Sequence, residues 1–184
     1  MKKDIIVLMG GQGVGKGTFA KLLMQGHNFN HIETGALFRA MPADSAIGRL
    51  IARGELVPDD ELFKLIASKI TDDTDIILDG FPRTVAQAKW LTHNYADKYN
   101  IHVLYLDVPE EVMIARIEKR NREGGNRGDD ADMAVVRRRL DTFWHVTIPA
   151  IEWLRTAPGI KFSDIDVTGP VEENMKRITA ALKK

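Results

Sequence analysis

A short apolar run at residues 5–9 is followed at once by the glycine-rich segment GGQGVGKGT, residues 10–18. Helical periodicity begins at Lys16. Glycines allow successive backbone N–H groups to point at one anion, and the dipole of the following helix strengthens the attraction. A glycine-rich turn without a ligand is the alternative, but a strand before and a helix after are the context of a phosphate-binding loop (P-loop). We therefore expect the following residues around a nucleotide phosphate: Gly13, Val14, Gly15, Lys16, Gly17 and Thr18.

The P-loop departs from its usual form at the hydroxyl that commonly holds Mg²⁺. Gly17 follows the lysine, where Ser or Thr is usual, and Thr18 comes one position later. We expect Mg²⁺ to be held mostly through water, with Thr18 as an additional candidate contact. Asp79 ends the apolar run 76–78, and an aspartate there is typical beside a nucleotide-bound Mg²⁺.

Composition excludes several other classes. The 26 basic and 26 acidic residues cancel, whereas a nucleic-acid-binding protein usually carries a basic excess. The absence of cysteine excludes disulfides and thiolate zinc sites. No apolar stretch approaches the ~20 residues of a membrane helix. We expect a cytoplasmic monomer with neither nucleic acid nor membrane as a partner.

Strands and helices alternate along the chain. Further strands are predicted at residues 31–33, 75–78, 101–107 and 160–166, and helices at 16–25, 59–70, 84–95, 109–122 and 170–182. A longer helical pattern covers 130–155, where Pro149 should bend or divide it. The alternation predicts an α/β fold of three layers, α/β/α, around a central five-stranded parallel sheet in one domain, 1–184. The glycine-rich residues 121–128 are a candidate mobile loop.

Three further motifs carry a family resemblance: TGALFR at 34–39, LDGFPRT at 78–84 and RGDD at 127–130. With the P-loop they resemble adenylate kinase from residue 5 to about 171, and the DGFPR motif is highly specific to nucleoside monophosphate kinases. The resemblance implies reversible phosphoryl transfer from ATP to AMP, giving two ADP in nucleotide biosynthesis, with Mg²⁺ as cofactor. It also implies an acceptor-binding insertion at about 34–71 and a short lid at about 121–129. The core would be 1–33, 72–120 and 130–184.

The resemblance also implies an acceptor site. Arg39 and Arg83 would grip the AMP phosphate, a task suited to planar guanidinium groups. Gln87 would read the purine edge. The full set of residues implied for AMP is Thr34, Arg39, Leu56, Val57, Gly80, Arg83, Gln87, Arg127 and Arg138.

On the ATP side, the resemblance places Arg116 against the adenine and Arg120, Arg127 and Arg138 at the phosphates. Thr168 and Gly169 match the loop whose backbone meets the same adenine. The neighbouring Arg122, Arg137 and Arg139 are assigned to solvated faces. The implied catalytic set is Lys16, Arg83, Arg120, Arg127 and Arg138.

The sequence also departs from the family pattern. Gln12 replaces a common proline, Ala36 replaces an aspartate, and the segment between Arg39 and Leu56 is shorter than usual. Thr34 and Thr84 favour AMP over UMP or CMP, so a UMP/CMP kinase is the first alternative. A P-loop kinase of another small metabolite, such as gluconate, and a non-catalytic nucleotide sensor are the others.

Overall fold

The protein is described by a computed structural model covering residues 2–71, 73–124 and 132–183. Within these residues, five strands form one parallel sheet in the order β2-β3-β1-β4-β5. The strands are β1 (Lys3–Met9), β2 (Phe29–Glu33), β3 (Asp75–Asp79), β4 (Tyr99–Asp107) and β5 (Ile160–Asp166). The predicted sheet is confirmed, and β5 has the predicted bounds.

The apolar run of β1 lies in the centre of the sheet. Ile5 pairs with Ile76 of β3 on one side and with Ile101 of β4 on the other. Residues 5–9 are all buried. A parallel strand covered on both faces needs a continuous apolar run, and this explains why the pattern does not alternate.

Helices cover the sheet. They are α1 (Lys16–Leu23), α2 (Thr34–Arg39), α3 (Ala46–Ala52), α4 (Asp59–Lys69), α5 (Val85–Tyr95), α6 (Glu110–Arg122), α7 (Met133–Thr142), α8 (Ile148–Thr156) and α9 (Val171–Lys183). Two helices have a side-chain cap: Thr84 accepts from the Gln87 N–H ahead of α5, and Asp132 accepts from the Ala134 N–H ahead of α7. The sequence did not predict α2 and α3, which lie with α4 in the predicted acceptor insertion.

The long helical pattern at 130–155 is divided, as Pro149 predicted. A π-helical segment, Phe143–Thr147, separates α7 from α8, and the Ile148 N–H donates to the Phe143 carbonyl. Pro149 lies in the first turn of α8. A proline inside a continuous helix would lack a donor and clash with the preceding turn, and the wider π turn accommodates it.

The described residues include no helix that is both long and apolar enough to cross a bilayer. The domain boundaries and the lid at 121–129 remain predictions, because residues 125–129 lie outside the described part of the chain.

Candidate active site

A cavity of about 500 Å³ opens at the carboxyl ends of β1 and β3. Carboxyl ends of parallel strands are the usual place for ligands in open α/β sheets. The cavity brings together residues that the sequence scattered between positions 13 and 169. The predicted site residues that line it are Gly13, Val14, Gly15, Lys16, Gly17, Thr18, Arg39, Leu56, Asp79, Gly80, Arg83, Arg116, Arg120 and Gly169.

The P-loop curls around the end of β1. Gly13 has φ +83°, and a Cβ there would lie 2.6 Å from the Met113 carbonyl oxygen of α6. A larger residue would therefore strain the backbone and also clash with α6. The Lys16 ammonium donates to the Gly10 and Gly11 carbonyls at 2.8 and 2.9 Å. This places the charge of Lys16 inside the loop, where a phosphate would replace the carbonyl oxygens as its partner.

Gln12, the residue that departs from the family pattern, ties the P-loop to α7. Its Nε2 donates to the Val136 carbonyl at 2.7 Å. A proline at this position has no side-chain donor, so the substitution adds a connection between the loop and the helix that carries Arg138 and Arg139.

Asp79 is the last residue of β3 and faces the cavity while only 5% exposed. Burial raises the pKa of the Asp79 carboxyl, with Glu33 adding to this, while Lys16, His31 and Arg83 act against it. The described residues make no hydrogen bond to this carboxylate. A buried carboxylate without a donor fits a Mg²⁺ site, since hard oxygen ligands suit that ion. The exposed Thr18 lines the same cavity and is the second candidate ligand.

Two guanidinium groups stand on the acceptor side. Arg39 Nη2 pairs with Glu33 Oε1 at 2.9 Å, with both side chains 25% exposed. Arg83 Nε donates to the Gly80 carbonyl at 2.9 Å. The cations are thus held at the cavity wall by partners inside the protein. Glu33 was missed by the sequence analysis, although it directly precedes the predicted Thr34.

Four described residues of the predicted acceptor set do not line the cavity: Thr34, Val57, Gln87 and Arg138. Val57 is buried, and Thr34 donates through its hydroxyl to the Asp79 carbonyl at 3.3 Å. Gln87 is 1% exposed; its Oε1 accepts from the Arg83 N–H at 2.7 Å and its Nε2 donates to Asp59 at 2.8 Å. Both ends of the Gln87 amide are therefore engaged in fixing the Arg83 turn, and the contact of Gln87 with a purine stays a prediction.

On the donor side, Arg116 joins the P-loop to the segment after β5. Its guanidinium donates to the carbonyls of Val14 at 3.3 Å, Val167 at 2.8 Å and Thr168 at 3.4 Å. Thr168 itself bonds to Asp166 and does not line the cavity, whereas the neighbouring Gly169 does. Arg116 thus lies between the P-loop, predicted to hold the phosphates, and the segment predicted to meet the adenine.

The structure places two neighbouring arginines of α7 differently from what we expected. Arg139, which we assigned to a solvated face, is half-buried and lines the cavity. Arg138, which we expected at the phosphates, is exposed and donates to the Arg53 carbonyl at 2.7 Å, outside the cavity lining. The difference between the two arginines follows from which side of α7 is buried. Val136 and Leu140 form that side, and Arg139 is adjacent to it. Arg127 lies outside the described residues.

The adenylate kinase family model matches residues 8–158. The chain is also 40% identical to the adenylate kinase of Parvibaculum lavamentivorans, over 91% of this chain and 89% of that protein. The chain belongs to the adenylate kinase family. A second relative, the adenylate kinase of Prochlorococcus marinus, is 34% identical over 100% of this chain and 98% of that protein.

Membership of the adenylate kinase family makes the chain a phosphotransferase and confirms the resemblance that the motifs carried. A solved gluconokinase from Sinorhizobium meliloti superposes with a TM-score of 0.68, over 98% of this chain and 91% of that one, at 18% identity. This likeness shows the fold alone. It confirms the three-layer P-loop architecture and does not favour a kinase of gluconate over one of nucleoside monophosphates.

Proposed function

We propose that this adenylate kinase family member transfers the γ-phosphoryl group of ATP to AMP, giving two ADP in a reversible reaction. One observation carries the proposal. A single cavity has the P-loop with Lys16 on one wall and the Arg39 and Arg83 guanidinium groups on another. Two phosphate-binding surfaces facing one space are what a reaction between two nucleotides needs.

The chemistry requires positioning and charge neutralisation more than covalent help. An oxygen of the AMP phosphate forms a bond to the γ-phosphorus as the bond from that phosphorus to the bridging oxygen of ADP breaks. The attacking oxygen is already anionic, so no general base is needed. Lys16 would exchange its carbonyl partners for phosphate oxygens, and Arg120 would neutralise charge beside it.

On the acceptor side, Arg39 would exchange Glu33 for the AMP phosphate, with Arg83 beside it. Arg139 lines the cavity and takes the role that we first expected of Arg138. Arg127 keeps its predicted contact with the phosphates on the strength of the resemblance. We propose that the segment around it closes over the cavity and excludes water, which would otherwise accept the phosphoryl group.

Mg²⁺ fits the cavity because Asp79 offers a buried carboxylate that no described donor satisfies. Asp79 would hold the ion through water, with the Thr18 hydroxyl as an additional contact. When bound, Mg²⁺ would neutralise charge on the ATP phosphates. We further propose that the protein acts as a monomer in the cytoplasm.

The test is ADP formation from ATP with AMP, UMP, CMP and GMP in turn. We expect AMP to give the highest kcat/KM, and Lys16→Ala to lower kcat by about 10³-fold. Lys64→Ala is the matched control, because Lys64 is an exposed lysine that pairs only loosely with Glu61 at 3.8 Å. A higher kcat/KM with UMP or CMP would replace AMP as the acceptor. ATP binding without turnover of any monophosphate would instead favour a nucleotide sensor.

A further inference from the structure

His31, Glu33 and Asp79 form one group at the carboxyl ends of two neighbouring strands. Glu33 of β2 is in register with Asp79 of β3, so their side chains leave the sheet side by side. His31 precedes Glu33 by two residues and therefore points to the same face. The backbone of the sheet, rather than a loop, sets the spacing of the three side chains.

The three side chains offer ligand atoms that converge on one point. One imidazole nitrogen and one oxygen from each carboxylate all lie within 4.8 Å of one another. First-row metal ions bind such atoms at about 2.0–2.2 Å, so the ligands of one ion are separated by roughly 3–4 Å. Small rotations of the side chains would bring the group to that spacing.

Two members of the group lack a partner in the described part of the chain. Asp79 is 5% exposed, and none of the described residues donates to its carboxylate. The Nε2 atom of His31 is shielded from solvent and makes no hydrogen bond there either. Buried polar atoms normally have a partner, because their desolvation is costly without one. A cation between the three side chains would provide it.

The nearby cations hydrogen-bond to other groups, although the charges of Lys16 and Arg83 also act on the Asp79 carboxylate. Lys16 donates to P-loop carbonyls and Arg83 to the Gly80 carbonyl. Arg39 pairs with one oxygen of Glu33. These charges weaken the attraction for any added cation, so an ion that binds here must gain from the imidazole as well as from the carboxylates.

We propose that His31, Glu33 and Asp79 coordinate a divalent first-row transition-metal ion, such as Zn²⁺, directly. Mg²⁺ prefers oxygen ligands and water, whereas an imidazole with two carboxylates suits Zn²⁺ and its neighbours in the series. This site is distinct from the water-mediated contact of Asp79 with Mg²⁺, but the two share one carboxylate. Occupancy by a transition metal would therefore compete with the binding of Mg²⁺ and ATP.

The test uses Co²⁺ as a probe, because its visible absorption reports direct coordination. Metal-free full-length protein is titrated with Co²⁺ in the absence of nucleotide. We expect saturation at one ion per chain, and at least a tenfold weaker affinity in His31→Gln and in Glu33→Gln, since each variant removes one ligand. His93→Gln is the control, because His93 is an exposed histidine on α5, and it should bind Co²⁺ as the wild type does.

Circular dichroism and ATP binding establish that each variant is folded. Equal Co²⁺ affinity in the wild type, His31→Gln and Glu33→Gln would overturn the proposal, as would the absence of a saturable spectrum. Zn²⁺ supplies a second readout, since it should inhibit the wild type in competition with Mg²⁺ and ATP and inhibit His31→Gln less. The assigned contact with Mg²⁺ does not use His31, so failure of this site leaves the proposed phosphoryl transfer standing.

Discussion

The buried position of Asp79 favours the binding of a cation and lowers the stability of the protein without ligands. Its carboxylate is buried at the end of β3, and burial raises its pKa, which means that the folded chain favours the uncharged form. At neutral pH, where the unfolded chain carries this carboxylate ionised, burying Asp79 therefore costs stability until a cation binds. A site poised for a metal–nucleotide complex is expected to carry such a cost.

Asp79→Asn should accordingly stabilise the free protein while slowing turnover. The variant keeps the shape of the side chain and removes the buried charge. We expect the melting temperature in EDTA at neutral pH to rise, by about 2–4 °C for each kcal/mol of penalty removed in a chain of this length. Asp97→Asn, at an exposed aspartate, is the control and should leave the melting temperature unchanged. An Asp79→Asn protein that melts below the wild type would contradict this account.

Glu33 is a further single residue of the site, and we expect its carboxylate to oppose the binding of AMP. Its carboxylate occupies Arg39 in the free protein and places a negative charge beside the site proposed for the AMP phosphate. We expect Glu33→Gln to lower KM for AMP by about three- to tenfold, since a partly exposed charged hydrogen bond is worth ~1 kcal/mol. Steady-state kinetics with AMP varied at saturating ATP measures the change.

Glu61→Gln provides the comparison, because it removes a carboxylate from an exposed pair on α4. Its KM for AMP should equal that of the wild type. A higher KM in Glu33→Gln would mean that Glu33 holds Arg39 in the binding position rather than competing with the phosphate.

At the scale of elements, the orientation of the buried side of α7 decides which of its arginines lines the cavity. Val136 and Leu140 are buried and Arg139 lines the cavity, whereas Arg138 is exposed and donates to the Arg53 carbonyl. We expect Arg139→Ala to lower kcat by about 10²- to 10³-fold, as removal of a guanidinium from a transferring phosphoryl group does. Arg138→Ala, in the same helix, should change kcat less than threefold by the same reasoning, because its guanidinium lies outside the cavity. A greater loss in Arg138→Ala than in Arg139→Ala would restore the original assignment.

Spacing along the chain and the burial of α7 favour different arginines. Counting from Arg127, as the resemblance does, selects Arg138. The apolar residues of the helix instead indicate Arg139, since it follows Val136 by three positions and directly precedes Leu140. Apolar patterning also predicted β1, β3 and β4, whose runs are largely buried because the central strands of a parallel sheet are covered on both faces.

Other features of the site could not be read from local pattern. The group of His31, Glu33 and Asp79 depends on the register of β2 against β3, which brings together residues 46 positions apart. The engaged amide of Gln87 depends on Asp59, which lies on another helix. The P-loop, by contrast, is local in sequence, and its glycines and lysine predicted the wall of the cavity directly.

For the whole molecule, the sheet order places both phosphate sites at one edge. The P-loop follows the central strand β1, and the Asp79–Arg83 segment follows its neighbour β3. Two loops that are far apart in the chain are thus adjacent in space, and residues of both line one cavity. A single chain therefore supplies both walls of the proposed site.

We propose a monomer because one chain carries both walls of the cavity, and because of which apolar side chains its surface exposes. Among the described residues, the exposed large hydrophobic side chains are Met133, Trp144 and Val171, each 37–48% exposed. Monomers commonly expose single apolar residues of this kind, whereas stable dimers need a continuous patch. The net charge of zero provides no long-range repulsion that would mask association. We therefore expect sedimentation velocity to give one species with the mass of a single chain, unchanged by salt or protein concentration. A species of twice that mass that grows with concentration would show that an interface exists beyond these three side chains.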